Sequence, residues 1–406
     1  MDRSAFTATS PGDLVPITGT DPHTGPWSHV AFVPHPLPFE SPDLSGLTYR
    51  AVANARAALA ALDSTARQLP NPRLFRRPAL QAEAQSTSAL EGTYAPLADV
   101  LTADQDRPPS SDLREVLNYV SMGNTAFAWL EEGRQLGVGM LENLQSLLVA
   151  GTSGETASSG AIRDHQVVVG SRLDAGPRDL PIRAARFVPA PPGLDLRASL
   201  QDLLDWMTSP VVPNQIDPVV AAAMAHYQFE TLHPFHDGNG RIGRLLIVAH
   251  LLAQGVLLEP TLTVSPWFET RRTEYYDRLL AVSRSGDWDH YVQFFATGLE
   301  ASAKGTHRQM SDLVAVQDSM REVVRASPLR ADSAHLLIDY TLANTSFTIR
   351  AVERDLELSY ARANQLVGQL VDLGILTPLA TPPGTTRRFA APAVLDVLVR
   401  DQRLGP

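Results

Sequence analysis

Cysteine is absent from this 406-residue chain, and lysine occurs only once, at Lys304. Without cysteine, neither disulfide bonds nor thiolate metal sites can form. No stretch reaches the roughly 18 uninterrupted apolar residues that a membrane-spanning helix needs, and the first residues lack the apolar core of a signal peptide. We therefore expect a cytoplasmic protein that does not enter a membrane.

Net positive charge is also lacking, because the formal charge at pH 7 is −10. That balance argues against bulk electrostatic attraction to nucleic acid or to an anionic membrane, although it leaves room for a local basic surface. With 44% hydrophobic and 19% charged residues, the chain can bury large cores. Its length predicts two or three domains.

The pattern of the chain predicts five segments. Proline, glycine and serine in residues 1–45 predict an irregular arm. Helical periodicity predicts a helical region over 46–135 and a mostly helical core over 136–303, which one short β excursion near 166–170 interrupts. Residues 304–328 look like a linker. The spacing of the apolar residues changes over 329–406, which indicates a separate domain.

The last segment has the element order of a winged helix. We predict three helices followed by two short strands around a proline-glycine turn, at about 333–343, 348–356, 359–373, 375–376 and 387–389, with the turn at 382–384. Helix, helix, helix and a two-stranded wing predict a winged-helix domain.

Residues 233–244 are predicted to form a tight turn between two core helices. Asp217 can cap the preceding helix, and Pro234 disfavours helical geometry at His233, where that helix should end. Asn239 is the predicted cap of the next helix, whose apolar positions recur on one face. The segment between them therefore lies at a helix N-terminus.

The composition of this turn favours an anion, above all a phosphate. Gly238 and Gly240 let the backbone approach a ligand, and the N–H groups and positive dipole end of the helix attract negative charge. Arg241 and Arg244 lie on one face of the first helical turn, where cations oppose the dipole unless an anion is present. The alternative is that both arginines pair with carboxylates and the glycines only turn the chain.

Two further side chains of the turn carry chemistry. Asp237 beside a phosphate cradle can hold Mg²⁺, and His233 can accept a proton from a hydroxyl near neutral pH. His233 and His236 could instead be a zinc pair, but neither cysteine nor a His-Glu-x-x-His pattern accompanies them.

The twelve residues HPFHDGNGRIGR match every fixed position of the pattern H-P-F-x-[D/E]-G-N-G-R-x-x-R, so the chain resembles the Fic family. The stretches 31–38 and 265–276 also resemble family segments, and the likeness covers about residues 25–300. The resemblance implies a mostly α fold: a Fic-type helical core with a small β-hairpin flap, followed by the C-terminal winged-helix domain.

The resemblance also implies an activity, in which AMP moves from ATP to a Tyr, Thr or Ser hydroxyl of a target protein or of the chain itself. His233 would be the general base and Asp237 the Mg²⁺ ligand. The implied phosphate-binding residues are Gly238, Asn239, Gly240, Arg241 and Arg244, with the Asn239 amide contributing. Residues 163–170 would be the flap that registers the target, and Tyr275 and Tyr276 the candidates for the adenosine side.

A second matched feature is regulatory. Thr87, Glu91 and Gly92 fit the family's inhibitory pattern [S/T]-x-x-x-E-[G/N], in a predicted helix at about 77–92. The resemblance implies that Glu91 pairs with Arg244 and removes the cation that the γ-phosphate needs. The alternative is that Glu91 is the solvent-facing end of a helix closed by Gly92.

The C-terminal segment raises the alternative of DNA binding. Its candidate contacts are Arg362 and Asn364 in the third helix and Arg387 and Arg388 in the wing. Nine arginines and eight acids from Arg325 onward leave a net charge of about +1, less basic than a dedicated DNA binder. Interaction with a protein or dimerisation is the other role considered.

Several functions remain as alternatives. They are a DNA-binding regulator that senses nucleotide through its Fic core, removal of AMP from a modified protein, and transfer of a different nucleotide. Family habit suggests a homodimer. One departure from the family is Leu144-Gln145, where a Leu-His pair is common.

Overall fold

The protein is mostly helical in this computed structural model. The structure describes residues 1–21, 25–69, 71–104, 108, 110–176, 179–329, 332–380 and 386–403. The chain forms two compact units: the first comprises Met1–Ala60, Ser121–Leu257 and Trp267–Ala301, and the second comprises Ala61–Val120, Leu258–Pro266 and Ser302–Pro406. Across the described ranges, no helix combines the length and apolar character needed to cross a membrane.

The first strands, β1 (Gly12–Asp21) and β2 (Gly25–Pro34), form an antiparallel ribbon in which Val15 pairs with Ala31. Here the structure differs from the irregular arm predicted for residues 1–45. A two-stranded ribbon leaves each strand one open edge, so the prolines that indicated irregular chain are tolerated. Phe32 is fully buried, and its N–H donates to the Val188 carbonyl at 2.9 Å.

The helices begin and end as follows. In chain order they are α1 (Gly46–Gln68), α2 (Arg76–Glu91), α3 (Leu97–Thr102), α4 (Ser111–Glu131), α5 (Val138–Val149), α6 (Pro181–Ala184), α7 (Leu194–Thr208), α8 (Val212–Gln215) and α9 (Pro218–Leu232). They continue with α10 (Asn239–Ala253), α11 (Ser265–Glu269), α12 (Arg272–Ser285), α13 (Trp288–Ala326), α14 (Asp332–Ala343), α15 (Ile349–Asp355), α16 (Tyr360–Asp372) and α17 (Pro392–Arg403). Short 3₁₀ helices cover Arg3–Ala5 and Pro72–Phe75.

Helices α9 and α10 form the centre of the first unit. Thirteen of the fifteen residues of α9 are buried, and so are all residues of α10 from Asn239 to Leu251. Side chains that are apolar around the whole circumference mark a core helix. The turn that joins these two helices is therefore anchored at both ends in the core.

A small sheet lies beside this core. Strands β3 (Val169–Ser171) and β4 (Ala185–Phe187) pair antiparallel, with Val169 opposite Phe187. The β excursion predicted at 166–170 thus begins three residues later than its sequence pattern indicates. Phe187 belongs to an apolar cluster that also contains Phe32 and Leu280.

Helix α13 runs without a break through most of residues 304–328, where the sequence predicts a linker. Its buried residues Met310, Leu313, Met320 and Val324 recur at steps of three, seven and four. This spacing places them on one face of a helix. The polar residues between them resemble a linker by composition, but they form the solvent side of an amphipathic helix.

The C-terminal segment has its three helices within about two residues of the predicted positions. Strands β5 (Phe347–Thr348), β6 (Thr377–Pro378) and β7 (Arg388–Ala390) form an antiparallel sheet in the order β5-β7-β6. The predicted turn at 382–384 lies outside the described residues. The winged-helix assignment stays a prediction.

Candidate functional site

Local signals set the turn between α9 and α10. The Asp217 carboxylate accepts a hydrogen bond from the Val219 N–H at 2.8 Å, and Pro218 occupies the first turn of α9. The helix ends at Leu232, and His233 takes the left-handed conformation with φ 49° and ψ 59°. A residue other than glycine costs roughly 1–3 kcal/mol in such a conformation, so its surroundings must hold it there.

A backbone carbonyl orients the imidazole of His233. Nδ1 of the imidazole lies 3.3 Å from the Glu230 carbonyl oxygen, which can only accept a hydrogen bond. Nδ1 therefore carries a proton in this contact, which orients the ring. The side chain is half-buried, so one part of the ring remains accessible from the solvent.

Asn239 braces the turn through its side chain. Its Oδ1 accepts from the Phe235 N–H and its Nδ2 donates to the Phe235 carbonyl, both at 2.8 Å. These two bonds use the oxygen and one of the two Nδ2 hydrogens of the amide, so one amide N–H remains for a further acceptor. Helix α10 begins at Asn239, and its cap is Gly238 rather than the predicted Asn239.

Glycine is required at position 238 for two reasons. Its φ of 88° is left-handed, and an added Cβ would lie 2.7 Å from a methyl group of Leu148. The Asp237 side chain next to it is 42% exposed, and its Oδ1 accepts from the Gly238 N–H at 2.7 Å and from Arg241 at 3.1 Å. The carboxylate is thus oriented from one side by the helix start.

A single oriented carboxylate suits Mg²⁺. In the part of the chain that the structure describes, no group of three His, Cys, Asp or Glu side chains could hold an ion. Mg²⁺ commonly takes one or two carboxylates and completes its shell with waters and phosphate oxygens. An added Cβ at Gly154 would lie 2.0 Å from Oδ2 of Asp237, so the glycine preserves space beside this oxygen.

Both motif arginines are withdrawn from solvent. Arg241 is 2% exposed and Arg244 is 0% exposed, which makes them the largest fully buried side chains among the described residues. Charge acts over a greater range where water is excluded. Arg241 pairs with the Asp237 carboxylate at 3.1 Å, so the alternative in which the motif arginines pair with carboxylates holds for this one.

Gly243 allows a carboxylate to approach α10. An added Cβ would lie 2.3 Å from Oε1 of Glu230 and 3.1 Å from the Phe229 ring. Sequence reasoning about the turn passed over Glu230. A glycine inside a helix costs about 1 kcal/mol relative to alanine, so Gly243 does predict a close neighbour, which the structure identifies as Glu230.

Gln145 connects the turn to the loop at 151–160. Its Nε2 donates to the Asp237 carbonyl at 3.2 Å, and its Oε1 accepts from the Gly160 N–H at 2.6 Å. This is the position where the chain departs from the family's Leu-His pair. A glutamine can donate and accept at once, so it holds both partners.

A second group that the sequence did not reveal is a buried polar chain behind the two arginines. His226 Nδ1 lies 3.1 Å from the Gly243 carbonyl, and its Nε2 lies 2.7 Å from the Tyr275 hydroxyl. Burial, reinforced by the charge of Arg244, lowers the pKa of His226 to about 3. The ring is therefore neutral, donates through Nδ1 and accepts from the tyrosine.

The two candidates for the adenosine side lie in different environments. Tyr275 is 0% exposed, and burial raises its pKa well above the ordinary value. Tyr276 is half-buried, with the Arg272 guanidinium 6.0 Å from its ring centre. Of the pair, Tyr276 alone offers surface to a ligand.

The flap segment meets the turn through two histidines. His165 Nε2 lies 2.9 Å from His236 Nδ1, and Asp164 lies 2.9 Å from His165 Nδ1. Arg163, two residues earlier, is buried and donates to backbone carbonyls of the turn, including that of His233 at 2.8 Å. Sequence reasoning included Arg163 in the flap but gave it no role.

In the second unit, the predicted inhibitory residues lie at the end of α2. Thr87 is buried, and Glu91 is the exposed last residue of the helix. Gly92 has φ 99° and closes the helix by donating to the Ala89 carbonyl.

The predicted DNA contacts in the C-terminal segment differ in their exposure and in their hydrogen-bond partners. Arg387 and Asn364 are exposed. Arg362 is half-buried and donates to Gln365 and Ser333. Arg388 donates to the carbonyls of Ala103 and Ser346, both at 3.2 Å, so its guanidinium faces the protein interior.

The fold and the site together define a mostly helical protein in which residues 233–238 form a turn between the core helices α9 and α10. Residues 49–128 match the family described as Fic/DOC family N-terminal, and residues 136–251 match the Fic/DOC family. These matches assign residues 49–128 and 136–251 of the chain to Fic/DOC regions.

Similar proteins agree with this assignment. Protein adenylyltransferase fic-1 of Caenorhabditis elegans is 32% identical over 167 residues, which are 40% of this chain and 31% of that protein. Protein adenylyltransferase Fic of Drosophila mojavensis is 34% identical over 137 residues, 34% of this chain and 22% of that one. The chain thus spans less than a third of the length of these relatives. The crystal structure of a Fic family protein from Desulfovibrio desulfuricans has a TM-score of 0.52 at 21% identity, covers 87% of this chain and 98% of its own, and shares its fold.

Proposed function

We propose that this protein is an adenylyltransferase that moves AMP from ATP to a Tyr, Thr or Ser hydroxyl of a protein. The observation that carries the proposal is the position of the His233 imidazole, whose Nδ1 lies 3.3 Å from the Glu230 carbonyl oxygen, at the turn that leads into α10. The relatives named protein adenylyltransferase support the reaction class. An alternative in which the turn only senses nucleotide would not need a base at this position.

His233 performs the proton transfer. Its Nε2 takes the proton of the incoming hydroxyl, and that oxygen attacks the α-phosphorus of ATP. The bond between the α-phosphorus and the bridging oxygen breaks, and pyrophosphate leaves. Reactions of this kind depend mainly on positioning and charge stabilisation.

The residues at the start of α10 bind the triphosphate. The backbone N–H groups of Asn239 and Gly240 would donate to the phosphates, joined by that of Gly238 once it leaves the Asp237 carboxylate, while Arg241 and Arg244 would neutralise the phosphates. Asp237 would hold Mg²⁺ through its carboxylate, and that ion would neutralise charge on the α- and β-phosphates.

The flap at 163–170 would register the target. Strand β3 pairs with β4 on one edge, so its other edge can accept an extended peptide by strand addition. Such pairing would place a hydroxyl near His233 without a sequence-specific pocket.

Glu91 would regulate the reaction. We propose that its carboxylate pairs with Arg244 and takes the cation that the γ-phosphate needs. The sequence pattern around Thr87, Glu91 and Gly92 supports this role, and Glu91 lies at the end of α2, where the pattern predicts it. Release of Glu91 would then activate the enzyme.

The C-terminal segment is proposed to be a winged helix. Its order of helix, strand, two helices and two strands supports that fold. The inward direction of Arg388 leaves Arg387 and Asn364 as the exposed candidates for a nucleic-acid contact, which does not favour a dedicated DNA-binding role.

Labelling with ATP tests the activity. The Glu91→Gly protein, incubated with Mg²⁺ and ATP carrying the label at the α-phosphate, should label itself or an added target, and ATP labelled at the γ-phosphate should not. His233→Ala should lower the rate by roughly 10²–10⁴-fold, while His290→Ala, at an exposed histidine outside the turn, should not. Absence of α-label in Glu91→Gly would contradict the proposal.

Two further measurements identify the nucleotide that is used and the group that is transferred. Competition by UTP, GTP and CTP reports the nucleotide, and intact mass reports whether AMP is added. Equal labelling of the parent and Glu91→Gly proteins would contradict the inhibitory role alone, and release of AMP from a modified protein would favour the reverse reaction.

A further inference from the structure

We propose that Arg163 is a positioning residue that holds the backbone of the general base and couples it to the flap. The inference rests on the proposed function of His233. Among the described residues, the Arg163 side chain pairs with no carboxylate and donates hydrogen bonds to main-chain oxygens.

The Arg163 side chain donates hydrogen bonds to carbonyl oxygens from three parts of the chain. Nε donates to His233 O at 2.8 Å, and Nη2 donates to Leu232 O at 3.3 Å and to Ala190 O. Nη1 donates to His165 O at 3.2 Å. The guanidinium therefore joins the end of α9, the flap and the segment that follows β4.

The backbone of the same residue adds a fifth contact. The Arg163 N–H donates to the Pro234 carbonyl at 3.0 Å. The carbonyls of three consecutive residues, 232 to 234, are thus bound by one arginine. These oxygens follow the last turn of α9, where the helix itself supplies no donors.

The electrostatics suit this position. A cation at the C-terminus of a helix is favoured by the dipole, and arginine commonly satisfies the last carbonyls. Arg163 is 2% exposed, and among the described residues no carboxylate pairs with it. Desolvation lowers its pKa to about 10, so the group stays charged at neutral pH. Burying a cation whose partners are all carbonyls costs free energy of folding. We therefore infer that its hydrogen bonds serve a purpose at this turn.

That purpose is to hold His233 in place. It adopts φ 49°, a conformation that residues other than glycine rarely take. The bond from Arg163 to its carbonyl fixes the peptide plane that follows, and so fixes the direction of the imidazole. Because the same guanidinium binds His165 O in the flap, a target strand that shifts the flap would also shift the base. Arginine is needed here because its planar fork reaches several acceptors at once, which a lysine cannot do.

The test compares Arg163→Met and Arg163→Lys in the Glu91→Gly protein, with Arg197→Met as the matched control. Arg197 is a half-exposed arginine paired with Glu142 on the surface of the same unit. We expect Arg163→Met to lower kcat for AMP transfer about 10–100-fold, with the Kd for ATP within about 3-fold of the parent. Arg163→Lys should recover part of the loss, and Arg197→Met should stay within 2-fold.

A second readout does not depend on activity. Amide hydrogen exchange at His233, whose N–H donates to Phe229 O at 3.0 Å, should accelerate in Arg163→Met relative to the core amides of α10. An unchanged kcat in a folded variant, or a loss of kcat with unchanged exchange at His233, would overturn the proposal. If Arg163→Met does not fold, the same two measurements on Arg163→Lys decide it. If the Glu91→Gly protein shows no AMP transfer, the proposed function fails, while the exchange comparison still decides whether Arg163 positions this turn.

Discussion

The turn between α9 and α10 and the C-terminal segment both contain arginines that the sequence predicts to contact anions, yet the structure places these arginines differently. Arg241 lies in the first turn of α10 and donates to the Asp237 carboxylate at 3.1 Å. Arg388 donates instead to the carbonyls of Ala103 and Ser346. Arginine therefore indicates an anion site only where the neighbouring backbone presents N–H groups, since next to carbonyls the guanidinium serves the fold.

The largest expected difference between the two regions lies in their asparagines. Asn239→Ala would leave the buried N–H and C=O of Phe235 without the side chain that now binds them. Each unsatisfied group costs about 1–3 kcal/mol, so the free energy of unfolding should fall by roughly 2–4 kcal/mol. Asn364→Ala, at an exposed position of α16, should change it by less than about 0.5 kcal/mol. Urea unfolding of both variants measures the contrast, and equal effects would contradict the bracing role.

The histidines give the next contrast. His226 has a pKa of about 3 in the folded protein because it is buried, against about 6.5 in an unfolded chain. The unfolded state therefore binds the proton first, so this contribution to stability is complete above about pH 6.5 and is lost as the pH falls towards 3. The slope is about 1.4 kcal/mol per pH unit for one proton.

Stability curves between pH 7 and pH 4 test this assignment. In His226→Gln, the slope of the free energy of unfolding against pH should decrease by the amount that one proton contributes. The control is His335→Gln, at a half-buried histidine of the C-terminal segment. A slope that persists in His226→Gln would assign the pH dependence elsewhere, for example to His250, whose pKa burial lowers to about 4.

Sequence reasoning found the turn because its signals are local. The Asp217 cap, the end of α9 before Pro234 and the glycine at 238 depend on neighbours within a few residues. The resemblance to a known pattern then gave each position a proposed role. Because helix ends and turns are set by short stretches of chain, the backbone of the site could be predicted closely.

The supporting contacts could not be predicted in this way. Arg163 binds a carbonyl 70 residues away, and His226 binds a hydroxyl 49 residues away. Nothing in the neighbouring residues distinguishes them from any buried arginine or histidine. The same limit applies to α13, whose helical face becomes evident only from which side chains are buried.

Two glycines, Gly154 beside Asp237 and Gly368 in α16, differ in the space around them. In Gly154→Ala, the new Cβ would lie 2.0 Å from Asp237 Oδ2 and would displace either the loop or the carboxylate. We expect the Mg²⁺ concentration for half-maximal AMP transfer to rise about 10-fold, which corresponds to about 1.4 kcal/mol. Gly368→Ala in α16 meets no atom within 4 Å and should leave that concentration unchanged. A Mg²⁺ dependence that is unaltered in Gly154→Ala would argue that the ion does not use this carboxylate.

The smallest expected effect separates two neighbouring arginines of the C-terminal segment. Arg388→Met removes donors from the Ala103 and Ser346 carbonyls and from the Ser346 hydroxyl at 2.6 Å, so stability should fall by about 1–2 kcal/mol. Arg387→Met changes an exposed side chain and should cost less than about 0.5 kcal/mol. The two variants have the same net charge, so a difference in urea midpoint reports the internal contacts rather than electrostatics. A larger loss for Arg387→Met would mean that the guanidinium of Arg388 is not the one that supports this sheet, and it would reopen Arg388 as a residue for an external anion.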